Sequence, residues 1–386
     1  MKEKGEKMSY RFSHIIGWLL CLVILATGAV KAEEISIIAV GDITIGNRLT
    51  PIIEKDEGVT LFEGITELIQ SADIATAPVN MPISDRGEPQ YGVEHTYRAH
   101  RSIARRLANT GFDVVSLATP HITDFGIEAI WDTLDLLNWY HVKTVGASVP
   151  PPSRPDEAEA DAEVTETVEV ADEAAESPKM TNLPKEGPAW IHVKSAQVAF
   201  LGYSRTNPFS SDDINPVASA VYSEMIEKAK EVAQKADLLV VWIHWGKTRQ
   251  TQAVGDRQRY FARGLIDAGA DLVLCQRLHT LQGAEIHNGK PIIYSLADFI
   301  YENYDKQYSK VVVPKVIFAD GMLKSVELIP IWVDNPELKY QPQVLSGKEA
   351  QEALVNYQKL CAELETRMTI EAERGWIRPD ANPQTP

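Results

Sequence analysis

Cysteine is scarce in this sequence, with three in 386 residues, and Cys21 lies in an apolar run near the N-terminus. A disulfide framework therefore cannot carry the fold. Cys275 and Cys361 have the option of one bond in an oxidising compartment; both are expected to be free and buried. Positive charge is also short: 38 Lys and Arg against 54 Asp and Glu give a formal net charge of −16. A chain so acidic does not gather nucleic acid or another polyanion by general attraction. An anionic ligand has to be held locally, by arginine or by metal. Internal repeats are absent as well, so no repeat architecture is expected.

The 44% hydrophobic and 24% charged content supplies one large or two moderate cores and excludes disorder throughout. Lys2, Lys4, Lys7 and Arg11 precede the run IIGWLLCLVILATGAV, and VKA ends at Ala32 with small residues at the spacing a signal peptidase reads. Residues 1–32 are thus expected to be a signal peptide cleaved near Ala32. The run approaches the about 20 apolar residues that a spanning helix needs, so a retained anchor is the alternative. Lipidation at Cys21 ranks below both. The chain is expected to be exported: periplasmic, extracellular or membrane-anchored at the cell envelope, touching membrane only through this segment if it is kept. Loss of residues 1–32 removes five basic and two acidic side chains and takes the net charge from −16 to −19.

From residue 35 onward, short β-branched runs alternate with amphipathic helical stretches, the pattern of an α/β domain. ISIIAV reads as a first buried strand before the turn GD, SIARRLANTG as a helix capped by Gly111, and FDVVSLA as a strand. The helix GIEAIWDTLDLLNWY and the strand VKTVGA follow. Residues 150–188 interrupt the series. Ten Asp and Glu between Arg154 and Lys179, with almost no large apolar side chain, predict a disordered acidic insertion, because it cannot bury enough surface to offset its ordering entropy. A solvated insertion without function is favoured over Ca²⁺ or partner binding.

The series resumes with AQVAFLGYS, a helix near 217–236, DLLVVWIHWG, RQRYFARGLIDAG, ADLVLC, KPIIYSLADF and a long hairpin turning at Asp320-Gly321. Residues 33–335 are taken as one core domain. Residues 336–386 are taken as a C-terminal helix and tail, the helix carrying an apolar stripe of Ala350, Leu354, Tyr357 and Cys361 and packing on the outside.

In an α/β sheet the loops that leave the carboxyl ends of the strands share one edge, so polar residues just after buried strands become neighbours. Asp42 follows IIAVG, Asn80 lies in APVNMP, His121 follows VVSLATP, His244 ends LLVVWI, and His279 lies just beyond LVLCQRL. Taken singly, each is as readily a turn former or a core histidine. Together they supply the ligand types that hold Zn²⁺, Mn²⁺ or Fe, with a histidine able to protonate a leaving oxygen.

The order of segments resembles the capsule-biosynthesis CapA, or poly-γ-glutamate synthesis, proteins of the calcineurin-like metallophosphatase superfamily. The resemblance runs from about residue 35 to 302 and is carried by VGDITIGNR, ADIATAPVNMPISDRG, GFDVVSLATPHITDFGIEAIWDTLDLL, HWG at 244–246, AGADLV at 268–273 and GKPIIYSL at 289–296. It implies a layered α/β/β/α sandwich of mixed sheets flanked by helices. It also implies metal contacts for Asp42, Asn80, His244 and His279 and a catalytic role for His121. Several positions depart from the family pattern. Thr119 and Pro120 stand where two asparagines are expected, and Asn80 stands where a glutamate is expected. Cys275, Gln276 and Arg277 replace Gly-His-His, and Ala297 and Asp298 replace Gly-Asn.

A two-metal site offsets repulsion between cations about 3.5–4 Å apart with anionic and imidazole ligands. The departures leave Asp42, His244 and His279 for one divalent ion (Mn, Fe or Zn) or for none. Arg277 opposes a cation but suits an anion, because a guanidinium binds carboxylate or phosphate through two parallel hydrogen bonds. Two readings follow. The favoured one is a catalytically degenerate binding or assembly factor in capsule or surface-polymer synthesis, in which Arg277, Gln276 and Asp298 contact an anionic polymer or its precursor, alongside other envelope biosynthesis proteins. The alternative is a single-metal hydrolase of phosphoester or related bonds with His121 as the acid.

Overall fold

The computed structural model describes residues 33–46, 49–55, 61–93, 95–149, 187–205, 216–245, 252–276, 279–301, 309–333 and 341–379. The chain divides into Met1–Glu34 and Ile35–Pro386. The expected signal peptide and all but the last two residues of the expected acidic insertion lie outside the described residues, as does Arg277. Among the described residues no helix is long and apolar enough to cross a membrane.

The unit Ile35–Pro386 is a mixed α/β structure of two large sheets flanked by helices. Four strands, β1 (Glu34–Ala39), β3 (Ile74–Pro78), β4 (Val114–Ser116) and β5 (Lys143–Val145), run parallel at one side of a nine-stranded sheet. The long hairpin β13 (Lys310–Ala319) and β14 (Met322–Trp332) continues it. The hairpin turns where expected: Asp320 and Gly321 both have positive φ, 52° and 73°, the backbone a two-residue turn of type I′ requires. The second sheet has the order β10-β11-β9-β8-β7-β6. Its centre, β7 (Ala196–Ser204), β8 (Leu238–His244), β9 (Leu272–Gln276) and β11 (Lys290–Leu296), is parallel, and β6 (Ala189–Val193) and β10 (Leu281–His287) are antiparallel edges.

Both faces of the central strands are buried, which is why they read as unbroken apolar runs. Along β8, Leu238, Val240 and Trp242 enter the core between the sheets, while Leu239, Val241 and Ile243 face the helices α5 (Tyr222–Ala233) and α6 (Asp256–Asp267). In the same way Ile35, Ile37 and Ala39 of β1 point between the sheets, and Ile38 points toward the helices α1 (Thr50–Lys55), α2 (Glu63–Gln70), α3 (Ser102–Thr110) and α4 (Gly126–Trp139). The result is a four-layer α/β/β/α arrangement. Each fully buried Val, Leu or Ile contributes about 1.5–3 kcal/mol, whereas exposed surface pairs such as Lys228–Glu231 contribute little. The buried apolar cores hold the fold. A buried polar tie crosses between the sheets: the indole N–H of Trp242 donates to Thr76 Oγ1 at 2.9 Å.

The helix α3 ends as its sequence directs. Gly111 takes φ 103°, its N–H donates to Ala108 O and that of Phe112 to Leu107 O, so a left-handed residue satisfies the last carbonyls. The C-terminal helix α7 (Gly347–Ala362) differs from expectation in its placement. Leu354, Tyr357 and Cys361 are buried in the core between the sheets, and the helix closes that core at one side instead of lying on an outer face. Before it β15 (Gln343–Val344) pairs with β14, and beyond it the tail forms β16 (Met368–Glu371) and β17 (Arg374–Ile377), β17 also pairing with β14. Residues 341–379 thus complete the nine-stranded sheet; so short and polar a pair of strands carries little signal of its own. Cys275 and Cys361 are free and buried.

Candidate functional site

The two large sheets approach each other at one rim through a small two-stranded ribbon. Its strands are β2 (Asp42–Thr44), directly after β1, and β12 (Asp298–Tyr301), directly after β11. The pairing is parallel and sets Asp42 opposite Asp298. Gly41 permits the approach: a Cβ there would sit 1.9 Å from the carbonyl oxygen of Ala297. That carbonyl accepts from the Asp42 N–H at 3.1 Å and from Gln276 Nε2 at 2.6 Å. Ala297 holds it in place with φ 58°, a left-handed backbone that costs a β-carbon-bearing residue about 1–2 kcal/mol.

Asp42 lies at the centre and is 1% exposed. Its Oδ2 is 3.4 Å from Asn80 Nδ2, which donates to it, and 3.4 Å from His244 Nε2. Its Oδ1 is buried without a hydrogen-bond partner, and so is His244 Nδ1. Asn80 turns its oxygen the other way, accepting the backbone N–H of His121 at 3.3 Å. The strand ends thus bring Asp42, Asn80, His121 and His244 into one connected group.

His121 and His279 are held alike. His121 Nδ1 is 2.9 Å from Asp124 Oδ2, and Asp124 also accepts the Tyr97 N–H at 2.8 Å. His279 Nδ1 is 3.0 and 3.1 Å from the two oxygens of Asp298. A carboxylate on Nδ1 fixes the tautomer, so Nε2 is the nitrogen each ring offers outward. Both imidazoles are partly exposed, 28% and 41%, unlike the sealed Asp42–His244 pair. Two tyrosines link them. Tyr97 meets the His121 ring edge-on at 4.8 Å, Tyr301 stacks on His279 at 5.2 Å, and the two hydroxyls are 3.2 Å apart. Burial pushes the Asp298 carboxyl up; the His279 bond works against that and the nearby Asp42 charge adds to it.

Two of the sequence-predicted substrate contacts are otherwise engaged. Gln276 is buried and its amide is committed to backbone, accepting from the Leu296 N–H and donating to Ala297 O. Its amide shapes the backbone at Leu296 and Ala297. Asp298 is the partner of His279. Thr119 is buried too, donating to Val79 O at 3.1 Å. Sequence reasoning passed over Asp124, Tyr97 and Tyr301. Asp124 had a signal in its place three residues after His121; the tyrosines had none.

A pair of metal ions about 3.5–4 Å apart needs bridging and terminal anionic or imidazole ligands. Here the central carboxylate faces an amide N–H instead of a second carboxylate. His244 also lacks the Nδ1 acceptor that orients a metal-binding histidine. Among the described residues no group of three or more His, Cys, Asp or Glu is placed to hold a metal ion. The residues present do not fit a two-metal centre. The partnerless Asp42 Oδ1 is a feature that a single cation would satisfy.

The family model for the bacterial capsule synthesis protein PGA_cap matches residues 36–303. The chain is 23% identical over 270 residues to the PGA biosynthesis protein CapA of Bacillus subtilis, covering 68% of this chain and 62% of that relative's length. It is 24% identical over 326 residues to the capsule biosynthesis protein CapA of Bacillus anthracis, covering 78% of this chain and 71% of the relative. Among solved structures, a novel phosphatase of Mycoplasma pneumoniae aligns at a TM-score of 0.44 and 13% identity, over 80% of this chain and 98% of its own.

Proposed function

The chain belongs to the bacterial capsule synthesis protein family PGA_cap, and on that premise we propose that it serves capsule or poly-γ-glutamate-like polymer synthesis as a binding or assembly factor. In this reading it holds the anionic polymer, or its precursor, at the rim built from Asp42, Asn80, His121, His244 and His279. Export to the cell envelope is part of the proposal, supported by the basic, apolar and small-residue order of residues 1–32. The observation that carries it is the neutral amide of Asn80 against Asp42, where the resemblance calls for a carboxylate. A site one carboxylate short does not neutralise two cations, and the metal-driven hydrolysis of such a site is lost with them.

One observation favours a second reading, a single-metal hydrolase: Asp42 Oδ1 is buried and without a partner. His121, oriented by Asp124, would then hold the proton for a leaving oxygen, and the ion would supply charge neutralisation for the oxyanion.

Elemental analysis of protein purified without chelator, together with turnover of an aryl phosphate, separates the readings. The binding factor is expected to carry no stoichiometric Mn, Fe or Zn and to show no rate that Asp42→Ala removes. Stoichiometric metal with a rate abolished by Asp42→Ala would overturn it in favour of the hydrolase.

A further inference from the structure

Several of the chain's arginines meet carboxylates: Arg86 with Asp132, Arg101 with Asp85, Arg263 with Glu285, Arg374 with Glu327 and Arg378 with Glu371. Arg205 and Arg257 do not. Among the described residues neither guanidinium forms an ion pair or a hydrogen bond. Asp256, beside Arg257 in the chain, makes no ion pair either. In a protein with 54 acidic and 38 basic side chains, two neighbouring arginines without a counter-charge make a local patch of positive charge.

Their placement is built by the fold. Arg205 directly follows β7, and its backbone N–H donates to His244 O at 2.8 Å, one strand away from the residue that faces Asp42. Its guanidinium lies 5.3 Å above the Phe261 ring. Arg257 stands on the first turn of α6, four residues before Phe261, so both lie on the same helix face. Arg257 is close enough that its charge, added to the larger effect of burial, lowers the Arg205 pKa. Phe261 is itself braced, edge-on to Trp245 at 6.0 Å and to Tyr222 at 5.1 Å. A guanidinium resting with its face on an aromatic ring keeps its in-plane N–H fork free. That fork matches the two oxygens of a carboxylate or the edge of a phosphate.

We infer that Arg205 and Arg257 form an anion-binding subsite beside the Asp42–His244 pair, which takes the free pendant carboxylates of an acidic polymer. The inference rests on the proposed function and deepens it, because it names cationic groups for a polyanion that the acidic chain as a whole repels. At the Asp42 site the two partly exposed histidines, His121 and His279, are each already paired with a carboxylate, Asp124 and Asp298, so the rim gains from added positive charge beside it. Two forks side by side suit successive carboxylates along one chain better than a single small ion.

The test is calorimetric titration of a short γ-linked glutamate oligomer, and separately of inorganic phosphate, into the full-length protein and its Arg205→Gln, Arg257→Gln and Arg277→Ala variants. Arg257 is exposed on a helix surface, so its variant keeps the test informative if Arg205→Gln fails to fold. The expected result is oligomer binding that weakens about tenfold or more in each of the Arg205 and Arg257 variants, the usual worth of a hydrogen bond to a charged group, and with a shallower salt dependence. Oligomer binding unchanged in both variants but lost in Arg277→Ala would overturn the subsite and leave the binding function standing. Arginine-dependent binding of phosphate without the oligomer would overturn the assignment to carboxylates. No oligomer binding by the unmodified protein would overturn subsite and function together.

Discussion

Asn80→Asp restores the carboxylate that the resemblance calls for, and its cost follows from the geometry. Asn80 Nδ2 is 3.4 Å from Asp42 Oδ2, and both residues are at most 3% exposed. Two negative charges at that separation repel by about 5 kcal/mol for an effective dielectric constant of about 20. The new group has a second way out, which is to stay protonated. Keeping a carboxyl of ordinary pKa near 4 protonated at pH 7 costs about 1.4 kcal/mol per pH unit, or about 4 kcal/mol. The cheaper route sets the expected loss at about 4 kcal/mol in EDTA, before the lost amide hydrogen bond is counted. A divalent cation that binds the restored pair is expected to return about 2.7 kcal/mol at a hundredfold excess over its Kd. The assay is urea unfolding followed by tryptophan fluorescence in EDTA and in excess Mn²⁺; the chain has eight tryptophans. A variant with the wild-type midpoint in EDTA would refute the contact between Asn80 and Asp42. A wild type stabilised by Mn²⁺ as much as the variant would refute the idea that this amide is what excludes the ion.

Two further outcomes check the frame around the site. Gly41→Ala would drive a Cβ against the Ala297 backbone at 1.9 Å, with no flexible side chain to yield; it is expected to exceed the about 1–3 kcal/mol of ordinary overpacking, and a wild-type urea midpoint would show that β2 and β12 are not this close. Burial raises the Asp132 pKa, but the Arg86 and Ser84 bonds outweigh it and hold the carboxyl below its ordinary 3.8. Its contribution is therefore present above about pH 4 and lost as pH falls further. Because Arg86 is half exposed, the stability difference between wild type and Asp132→Asn is expected to be about 1 kcal/mol or less at pH 7 and to shrink below about pH 4; a difference unchanged down to pH 2 would count against the pairing.

The long elements were legible because each buries two faces. β8 needs apolar side chains toward both the inter-sheet core and the helices, so it appears in sequence as LLVVWI, and β1 as ISII. The ribbon β2–β12 was not legible, since three or four residues of mixed polarity carry no period. Yet the ribbon is what sets Asp42 opposite Asp298. Asp42, Asn80, His121, His244 and His279 could be named from their places after strands. Gln276 could not be assigned correctly that way, because only its bonds to Leu296 and Ala297 reveal that its amide is already engaged. The arginines at 205 and 257 were missed for a similar reason. Their interest lies in what they do not touch, and a sequence shows neighbours along the chain only.

The pairing of Asp42 with Asp298 joins residues from opposite ends of the family-matched segment, 36–303. A ribosome that has made the first two hundred residues has made Asp42, Asn80 and His121 but none of the partners from β8, β9 or β12. Closing so long a loop carries an entropic cost that only the finished sheets can offset. Truncation before residue 298 therefore removes one strand of the ribbon and the carboxylate partner of His279, and the rim is complete only once nearly the whole matched segment has been made.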